Sequence, residues 1–543
     1  MPEECSNSFL RYGKAGALTL VILGLVLRIR GLGEYWLNPD EGIYYSTLTV
    51  DSLGAFWAEV SVNAHPPLFY LLLRGAGWLT WDFVLLRGVS VMFGVWAIWA
   101  FWLVGRELGG RGRTGVVAGL VSAGLLAVNA DAIALSQVMR PYMMVLALLA
   151  LGLFHILRYR SDPSGRRLVL YMACIVSALL IHYSAALALA SFCVVVAYYA
   201  LTRAVEPVAW RRLALAQLVP ASVFLALYVR HLATTIGSAL MGDALGPNGW
   251  LSQWLVASPA DAWYSFATFQ VLHLPPDFRG RAALLLLAAL GLALARDRLV
   301  AVIAASGLAA ALAASVLGLY PFGPSRHDTW LIVFTLPALG WLAGHMMERG
   351  PRTARIAALV LAVALVAGTP LERVFGADFP LTNVTEERAI RRGDLATLVT
   401  RQLDPEAGPN VILMTEQSYN LLMPLYTDVR EAARMSTDST VFGFLYGARM
   451  IVVARKWDWD DLDDVFRTLS AASRIPGTSA ASDGPVLVVA GGWGSSLFAS
   501  VPRLEASGAM LGAERVLGRD PHGRAIVRMM GIVLDPSVLR DPA

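Results

Sequence analysis

Two adjacent carboxylates stand near the beginning of the chain, at the edge of an apolar segment. Asp40 and Glu41 lie in the stretch NPDEGIYY at 38–45, which follows the first long apolar run. Charge so close to a bilayer is costly unless water or a function compensates for it. A carboxylate at this place is able to act as a general base that takes a proton from a hydroxyl group. The same pair also suits the first turn of a helix, where negative charge is favoured.

Histidines and arginines of the kind that bind phosphate or move protons occur in four further stretches. These are NAHPPLFYLLL (63–73), SQVMRPYMM (136–144), HYS (182–184) and YPFGPSRHDTW (320–330). They supply the candidate residues His65, Arg140, Tyr142, His182, Arg326 and His327. The planar guanidinium group forms paired hydrogen bonds with phosphate, so the two arginines are candidate anion ligands.

Most of these candidates also have a purely structural interpretation. His65 precedes two prolines and can cap a short helix, and Arg140 can extend its guanidinium group to lipid headgroups. His182 and Tyr183 can form a satisfied pair at an interface between helices. Arg28 and Arg30, near the end of the first apolar run, can reach toward the headgroups in the same way or help to bind phosphate, and the first of these is favoured. The residue types and their spacing leave both interpretations open.

The composition of the chain indicates that these residues are positioned by membrane helices. Hydrophobic residues make up 56% of the 543 residues, charged residues only 15%, and the mean hydropathy is +0.57. These values exclude an ordinary soluble protein and fit a polytopic membrane protein. A span takes about 20 apolar residues. Eleven segments qualify as candidates: 15–32, 84–104, 115–132, 140–157, 168–183, 185–202, 212–230, 281–296, 299–319, 329–346 and 355–369.

The distribution of arginine predicts the orientation of these spans. Every second loop is basic, as in the segments 106–113, 158–167, 203–212, 296–298 and 349–355. By the positive-inside rule these loops face the cytoplasm, together with the N-terminus. The polar candidates therefore all lie on the outer side, where converging loops would form one polar cavity at the membrane surface.

The region 371–543 has a different character from the rest of the chain. Short apolar runs of strand type occur at 410–414, 450–454 and 485–490, and helical patterns occur at 385–403 and 458–473. Strands that alternate with helices predict a small α/β domain. The expected organisation is a transmembrane domain at 1–370 and a soluble extracytoplasmic domain at 371–543.

Four stretches, in this order, resemble the GT-C superfamily of polyprenyl-phosphate-sugar-dependent glycosyltransferases. They are LNPDEGIYY, HPPLFYLLLRGAGWL, RPYMMVLALLAL and YPFGPSRHDTWLIVFTLPAL, which together extend over roughly 15–345. The most similar branch is glycosyltransferase family 39, which includes the protein O-mannosyltransferases. The aminoarabinose transferases that act on lipid A are more distant. The resemblance does not cover the C-terminal region.

The resemblance implies a GT-C fold and a role for each candidate residue. The fold is a polytopic α-helical membrane protein of about eleven spans, with interfacial helices in the first outer loop and a small α/β domain outside. Asp40 corresponds to the general base, and Glu41 would orient the acceptor or tune Asp40. The implied donor-phosphate ligands are Arg140, Arg326 and His327, and the implied lining residues are His65, Tyr142 and His182.

The same resemblance implies the substrates and the location. The donor is a polyprenyl-phosphate-linked sugar, and the acceptor is a hydroxyl group on a glycan, a glycolipid or a protein. The anomeric centre is inverted in one displacement, with no obligatory metal or other cofactor. The expected location is a bacterial inner membrane, with the active site outside and the lipid bilayer as a partner. The net charge of +4 is modest, and no nucleic-acid partner is expected.

Two other functions remain possible on the sequence alone. A lipid-linked-sugar transporter or flippase would also need many spans and membrane-embedded charge, but transporters place polar residues near the bilayer midplane on broken helices. In this sequence the polar residues cluster toward one surface. A non-catalytic subunit that binds lipid-linked sugar is the second alternative, and the presence of both carboxylates and both arginines favours an enzyme over it.

Overall fold

A computed structural model describes most of the membrane part and the central elements of the C-terminal region. The described residues are 3–50, 52–110, 112–233, 251–269, 276–349, 351–352, 392, 411–423, 435–436, 440–446, 449–455, 459, 462–472, 475, 486–492, 510–511, 515–519 and 525–534.

The described residues up to Arg349 are almost entirely helical. The helices are α1 (Glu3–Ile29), α2 (Pro39–Leu48), α3 (Leu53–Val62), α4 (Leu68–Gly77), α5 (Phe83–Leu108), α6 (Arg113–Ala127), α7 (Ala130–Ser136), α8 (Tyr142–Tyr159), α9 (Gly165–Leu179), α10 (Ala185–Thr202), α11 (Pro207–Ala216), α12 (Leu218–Leu227), α13 (Pro259–Thr268), α14 (Pro276–Arg296), α15 (Arg298–Val316) and α16 (Ile332–Arg349). A 3₁₀ turn at Arg326–Leu331 leads directly into α16.

The helices confirm a multi-pass membrane protein. Among the described residues, seven helical segments are long and apolar enough to cross a membrane, or eight if the bent pair α6–α7 counts as one span. Ten of the eleven predicted spans coincide with described helices, although α9, with 15 residues, and the apolar part of α14 at Leu284–Arg296 are shorter than a full span. The eleventh predicted span, 355–369, lies outside the described residues.

Helices α6 and α7 meet at an angle of 61° inside one predicted span. Asn129 begins the second helix, because its side-chain Oδ1 accepts a hydrogen bond from the backbone N–H of Ala132 at 2.8 Å. A side-chain oxygen at this N-cap position satisfies an N–H group that the helix itself leaves unpaired. The 115–132 pattern predicted a continuous apolar segment and did not predict this break.

The buried side chain of Arg28 fills the break between α6 and α7. Its guanidinium group donates to the carbonyl oxygens of Leu126 and Ala127 at 3.2 and 3.1 Å and to the hydroxyl of Ser136 at 2.9 Å. These carbonyls end α6, where the backbone lacks helical partners and a positive charge is favoured. Arg28 is 0% exposed, so the prediction that it reaches toward lipid headgroups is wrong.

The C-terminal region forms a mixed α/β sheet, as its sequence pattern predicts. Its described elements are β1 (Val411–Thr415), α17 (Glu416–Leu422), β2 (Met435–Ser436), β3 (Val441–Tyr446), β4 (Arg449–Ala454), α18 (Leu462–Ala472), β5 (Val486–Gly492), β6 (Met510–Leu511), β7 (Arg515–Arg519) and β8 (Ala525–Leu534). The strand order is β2-β3-β4-β1-β5-β8-β6, and β7 also pairs with β8. Strand β1 is parallel to both β4 and β5, and the other pairs are antiparallel.

The three predicted strands correspond to β1, β4 and β5, and the predicted helix at 458–473 corresponds to α18. The parallel strands β1 and β4 are buried at every residue, which explains why they appear in the sequence as continuous apolar runs without alternation. The predicted helix at 385–403 lies outside the described residues except for Arg392.

The chain divides into two compact units. The first unit comprises Met1–Arg30, Ala58–Thr80 and Leu85–Phe379. The second comprises Gly31–Trp57, Trp81–Val84 and Pro380–Ala543, so the segment that carries Asp40 and Glu41 belongs with the sheet.

Candidate functional site

In the first unit, six of the predicted residues collect where several helices begin or end. We call them the imidazole–guanidinium cluster: His65, Arg140, Tyr142, His182, Arg326 and His327. The ring centroids of His65 and His182 are 4.8 Å apart, and that of Tyr142 lies 5.3 Å from His182 and 6.4 Å from His327. Four separate stretches of sequence thus meet in three dimensions, as the predicted convergence of the loops requires.

Arg140 stands immediately before α8 and is 5% exposed. Its Nη2 donates to the hydroxyl of Tyr142 at 3.3 Å, and its guanidinium carbon lies 5.6 Å from the centre of the same ring. The hydroxyl of Ser90, on α5, donates to the carbonyl oxygen of Arg140 at 3.1 Å. Both the backbone and the side chain of Arg140 are therefore held in place. Because the side chain is buried to this extent, it does not extend toward lipid headgroups, which was the structural alternative for Arg140.

The segment before Arg140 is anchored to the end of α1 by Gln137. The side-chain amide Nε2 of Gln137 lies within 3.3, 3.0 and 2.6 Å of the carbonyl oxygens of Leu27, Arg28 and Arg30. The carbonyls of Leu27 and Arg28 belong to the last turn of α1, where helical partners are lacking, and Arg30 follows that turn. Gln137 thus links the last turn of the first span to the loop that carries the cluster arginine.

A tight turn before α16 positions the second arginine. The buried carboxylate of Asp328 accepts a hydrogen bond from the backbone N–H of Gly323 at 2.5 Å, which closes the turn. The hydroxyl of Tyr320 donates to the carbonyl oxygen of His327 at 3.2 Å, and that of Thr329 donates to the carbonyl oxygen of Arg326 at 2.6 Å. The 3₁₀ turn therefore presents Arg326 and His327 on a constrained backbone.

His182 is the most buried histidine of the cluster, at 3% exposure. The backbone N–H of Ser184 donates to its Nδ1 at 3.1 Å, and the hydroxyl of Ser184 lies 2.9 Å from the same nitrogen. Its expected partner Tyr183 instead forms a short hydrogen bond with His231 and stacks on that ring. His182 therefore belongs to the cluster, whereas Tyr183 makes a separate contact.

Burial and neighbouring charge keep the imidazoles of this cluster neutral. Desolvation, and then the positive charges of Arg140 and Arg326, lower the pKa of His182 to about 3. Desolvation, followed by His182 and Arg140, lowers the pKa of His65 well below its ordinary value. The positive charge of the cluster is thus carried by the two arginines. Helices α8 and α10 also begin here, and helix N-termini favour anions, so the arrangement suits a phosphate group.

In the second unit, Asp40 and Glu41 occupy the first turn of α2 with different environments. The side chain of Asn38 caps the helix by accepting the backbone N–H of Glu41 at 2.8 Å, and Glu41 Oε2 accepts the backbone N–H of Asn38 at 3.4 Å. This reciprocal arrangement is a capping box. Glu41 is 0% exposed, whereas Asp40 is partly exposed. Glu41 therefore has a structural task, and Asp40 is the more accessible carboxylate.

Helix α2 is held against α17 of the sheet region. The indole N–H of Trp36 donates to the carbonyl oxygen of Leu421 at 2.7 Å. Gly42 faces Asn420 so closely that a β-carbon on the glycine would overlap with the asparagine backbone. The helix that carries Asp40 is therefore positioned by residues almost 400 positions later in the chain.

The sequence predictions did not include several residues that position the candidate site. The capping role of Asn38 could have been read from Asn38-x-x-Glu41, which has the spacing of a capping box. Ser184 and Tyr320 lie inside stretches that were already singled out, and only the folded structure shows what they contact. No pattern in the sequence marks Gln137 or Asn420, because their contacts are with backbone groups of distant segments.

The fold of this chain is similar to that of solved membrane proteins. ArnT from Cupriavidus metallidurans in the apo state has a similar fold, with a TM-score of 0.53, 16% sequence identity, and coverage of 97% of this chain and 99% of ArnT. ArnT from the same organism bound to undecaprenyl phosphate gives a TM-score of 0.52 at 15% identity, with the same coverage. The match to the apo oligosaccharyltransferase of Archaeoglobus fulgidus covers 76% of this chain and 63% of the archaeal chain, with a TM-score of 0.47 and 11% sequence identity.

Comparison of the sequence with protein-family models and with curated proteins finds no match. The likeness to ArnT nevertheless extends over nearly the whole of both chains, including the C-terminal region that the sequence resemblance did not cover. The GT-C fold expected from the sequence is therefore confirmed.

Proposed function

We propose that this protein is an integral membrane glycosyltransferase that moves a sugar from a polyprenyl-phosphate donor to an acceptor hydroxyl group, with inversion of the anomeric centre. The observation that carries the proposal is the imidazole–guanidinium cluster, in which two arginines and neutral imidazoles lie together at the ends of membrane helices. Such a cluster suits a phosphate attached to a lipid. The shared fold with ArnT, which has been solved bound to undecaprenyl phosphate, supports the same ligand class.

The donor phosphate is held by Arg140, Arg326 and His327, and His65, Tyr142 and His182 line the site around it. Guanidinium groups form charge-assisted hydrogen bonds with phosphate oxygens, and these bonds strengthen as negative charge grows during the reaction. Two positive charges held in a buried site need little reorganisation when the leaving group departs. For this reason no metal or other cofactor is required by the proposed step.

The acceptor is activated by Asp40. The acceptor oxygen forms a bond to the anomeric carbon and its proton passes to the Asp40 carboxylate. The bond between the anomeric carbon and the phosphate oxygen breaks, and its electron pair stays on the phosphate. This assignment rests on the sequence resemblance and on the accessibility of Asp40 in the first turn of α2. Glu41 acts by fixing that turn.

The proposed orientation and domain organisation are the ones expected from the sequence. The basic loops face the cytoplasm of a bacterial cell, and the cluster faces the outer side of the inner membrane. Residues 1–370 form the transmembrane domain and 371–543 the extracytoplasmic domain, which takes part in binding the glycan, glycolipid or protein acceptor. The likeness of the C-terminal region to ArnT supports its being an integral part of the enzyme.

The test is sugar transfer from a panel of radiolabelled polyprenyl-phosphate sugars by membranes that contain the wild type, Asp40→Asn or Arg326→Ala. We expect transfer by the wild type, loss of transfer with retained donor binding in Asp40→Asn, and weakened donor binding in Arg326→Ala. Normal transfer by Asp40→Asn would assign the base elsewhere. A wild type that transfers no sugar but moves lipid-linked sugar between the leaflets of vesicles would replace the enzyme with a flippase.

A further inference from the structure

The structure assigns a specific role to His182, which rests on the proposed function: we infer that its Nε2–H donates a hydrogen bond to the phosphate oxygen that gains negative charge as the sugar leaves. His182 would thus distinguish the leaving lipid phosphate from the intact donor. The role goes beyond lining the site, because it names the atom that acts, its protonation state and the stage of the reaction at which it acts.

The protonation state follows from the contact with Ser184. A backbone N–H is only a donor, so its hydrogen bond to Nδ1 of His182 at 3.1 Å requires a lone pair on that nitrogen. A neutral imidazole carries its single proton on the other nitrogen. His182 is therefore the tautomer with hydrogen on Nε2, and the start of α10 holds it in that form.

The Nε2–H of His182 is a buried donor that lacks an acceptor among the residues the structure describes. Leaving a buried polar group without a partner is unfavourable. The ring lies among positively charged and aromatic groups of the cluster, 4.8 Å from His65 and 5.3 Å from Tyr142. A donor in such surroundings is suited to an anionic oxygen from a ligand.

The charge of the phosphate changes during the proposed reaction. In the donor the phosphate is a diester with one negative charge. When the glycosidic C–O bond breaks, the electron pair remains on oxygen and the product becomes a monoester with up to two negative charges. A fixed neutral donor beside two arginines stabilises the dianion more than the monoanion, and only such differential binding accelerates the reaction.

The test uses lipid phosphates that carry no sugar, so it does not depend on knowing the donor. Farnesyl phosphate represents the monoester and methyl farnesyl phosphate the diester, and each is titrated into the purified full chain in detergent at pH 8. The variants are His182→Phe, which keeps a ring but removes the donor, and His182→Gln, whose amide N–H can replace it. Tyr183→Phe is the matched control, since Tyr183 contacts His231 instead of the cluster.

We expect the wild type and Tyr183→Phe to bind the monoester more tightly than the diester. His182→Phe should lose about tenfold in monoester affinity, equivalent to about 1.4 kcal/mol, with little change for the diester, and His182→Gln should recover most of the loss. Equal losses for both lipids, or no loss, would overturn the role of His182 and leave the proposed function intact. A wild type that binds neither lipid would remove the proposed function and this inference together.

A second measurement uses only the wild type, so it tests the inference even if a variant fails to fold. Nitrogen-15 NMR of the histidine-labelled wild type distinguishes the two neutral tautomers directly. We expect at pH 7 one imidazole with protonated Nε2 and hydrogen-bonded Nδ1 whose Nε2 signal shifts when farnesyl phosphate is added. If no imidazole signal responds to farnesyl phosphate in a protein that binds it, the inference is wrong.

Discussion

Gly42 of α2 and Asn420 of α17 are in direct backbone contact, although 378 residues separate them in the sequence. A β-carbon at Gly42 would overlap with the carbonyl oxygen and carbonyl carbon of Asn420. Both atoms belong to the backbone, so no flexible side chain can move aside to make room for the added carbon. The position of Asp40, two residues before Gly42, therefore depends on the C-terminal region as well as on the segment around α2.

Gly42→Ala should separate α2 from α17 and reduce sugar transfer at least tenfold, because the added methyl group displaces a helix backbone. The matched control is Gly291→Ala on α14, where nothing lies within 4 Å of the added carbon. Alanine at that exposed helical position should be neutral or stabilise by up to about 1 kcal/mol. Transfer rates and melting temperatures of both variants in detergent check the prediction. Equal behaviour of the two variants would show that the close contact is unimportant.

The two carboxylates of α2 should respond differently to isosteric amides. Asp40→Asn removes the proposed base and should lower the transfer rate by about 10²–10⁴-fold, the range typical of general-base catalysis. Glu41→Gln keeps an oxygen that can accept the Asn38 N–H, as glutamine does in other capping boxes, and should retain most of the activity. Transfer kinetics at saturating acceptor measure both. A collapse of activity in Glu41→Gln with normal stability would instead make Glu41 a participant in the chemistry.

Arg28 should be important for stability rather than for phosphate binding. Arg28→Met leaves the carbonyls of Leu126 and Ala127 and the Ser136 hydroxyl without their charged donor, and we expect a loss of about 3 kcal/mol. The control is Arg30→Gln, two residues later. The side chain of Arg30 is exposed, so this substitution should change the melting temperature little. Thermal melting with and without farnesyl phosphate separates the two roles. An unchanged melting temperature in Arg28→Met would contradict the structural assignment.

The stability of the protein should fall as the pH drops below about 6.5. His182 has a pKa of about 3 in the folded protein, held down by burial and by Arg140 and Arg326, with His65 and His327 also facing it. In the unfolded chain this histidine takes up a proton near pH 6.5. Between about pH 6.5 and pH 3 this one group therefore lowers the free energy of unfolding by about 1.4 kcal/mol for each unit that the pH falls.

Melting temperatures between pH 8 and pH 5 measure this effect. The variant His182→Gln cannot take up the proton and should show a shallower decline than the wild type. Identical slopes in the two proteins would mean that His182 does not control the pH dependence.

The candidate residues were identifiable from sequence because their types are unusual beside apolar segments. Arg140, His182 and Arg326 each interrupt or border a membrane span, where a polar group is costly and therefore informative. The strands β1, β4 and β5 were readable for a related reason, since strands buried on both faces require continuous apolar runs. Ten of the eleven spans that the hydrophobic pattern predicted coincide with described helices, and seven or eight helical segments are long and apolar enough to cross a membrane.

The sequence by itself determined the class of the protein, its membrane segments and the residue types available for binding phosphate. Hydropathy and residue type are local properties, and they act through the cost of placing each group in lipid. Only the tertiary structure decided that Arg28 turns inward to cap α6, that α2 packs against α17, and that His182 joins the cluster without Tyr183. These outcomes depend on groups supplied by distant segments. Such partners become available only when the chain has folded, so no local pattern records them.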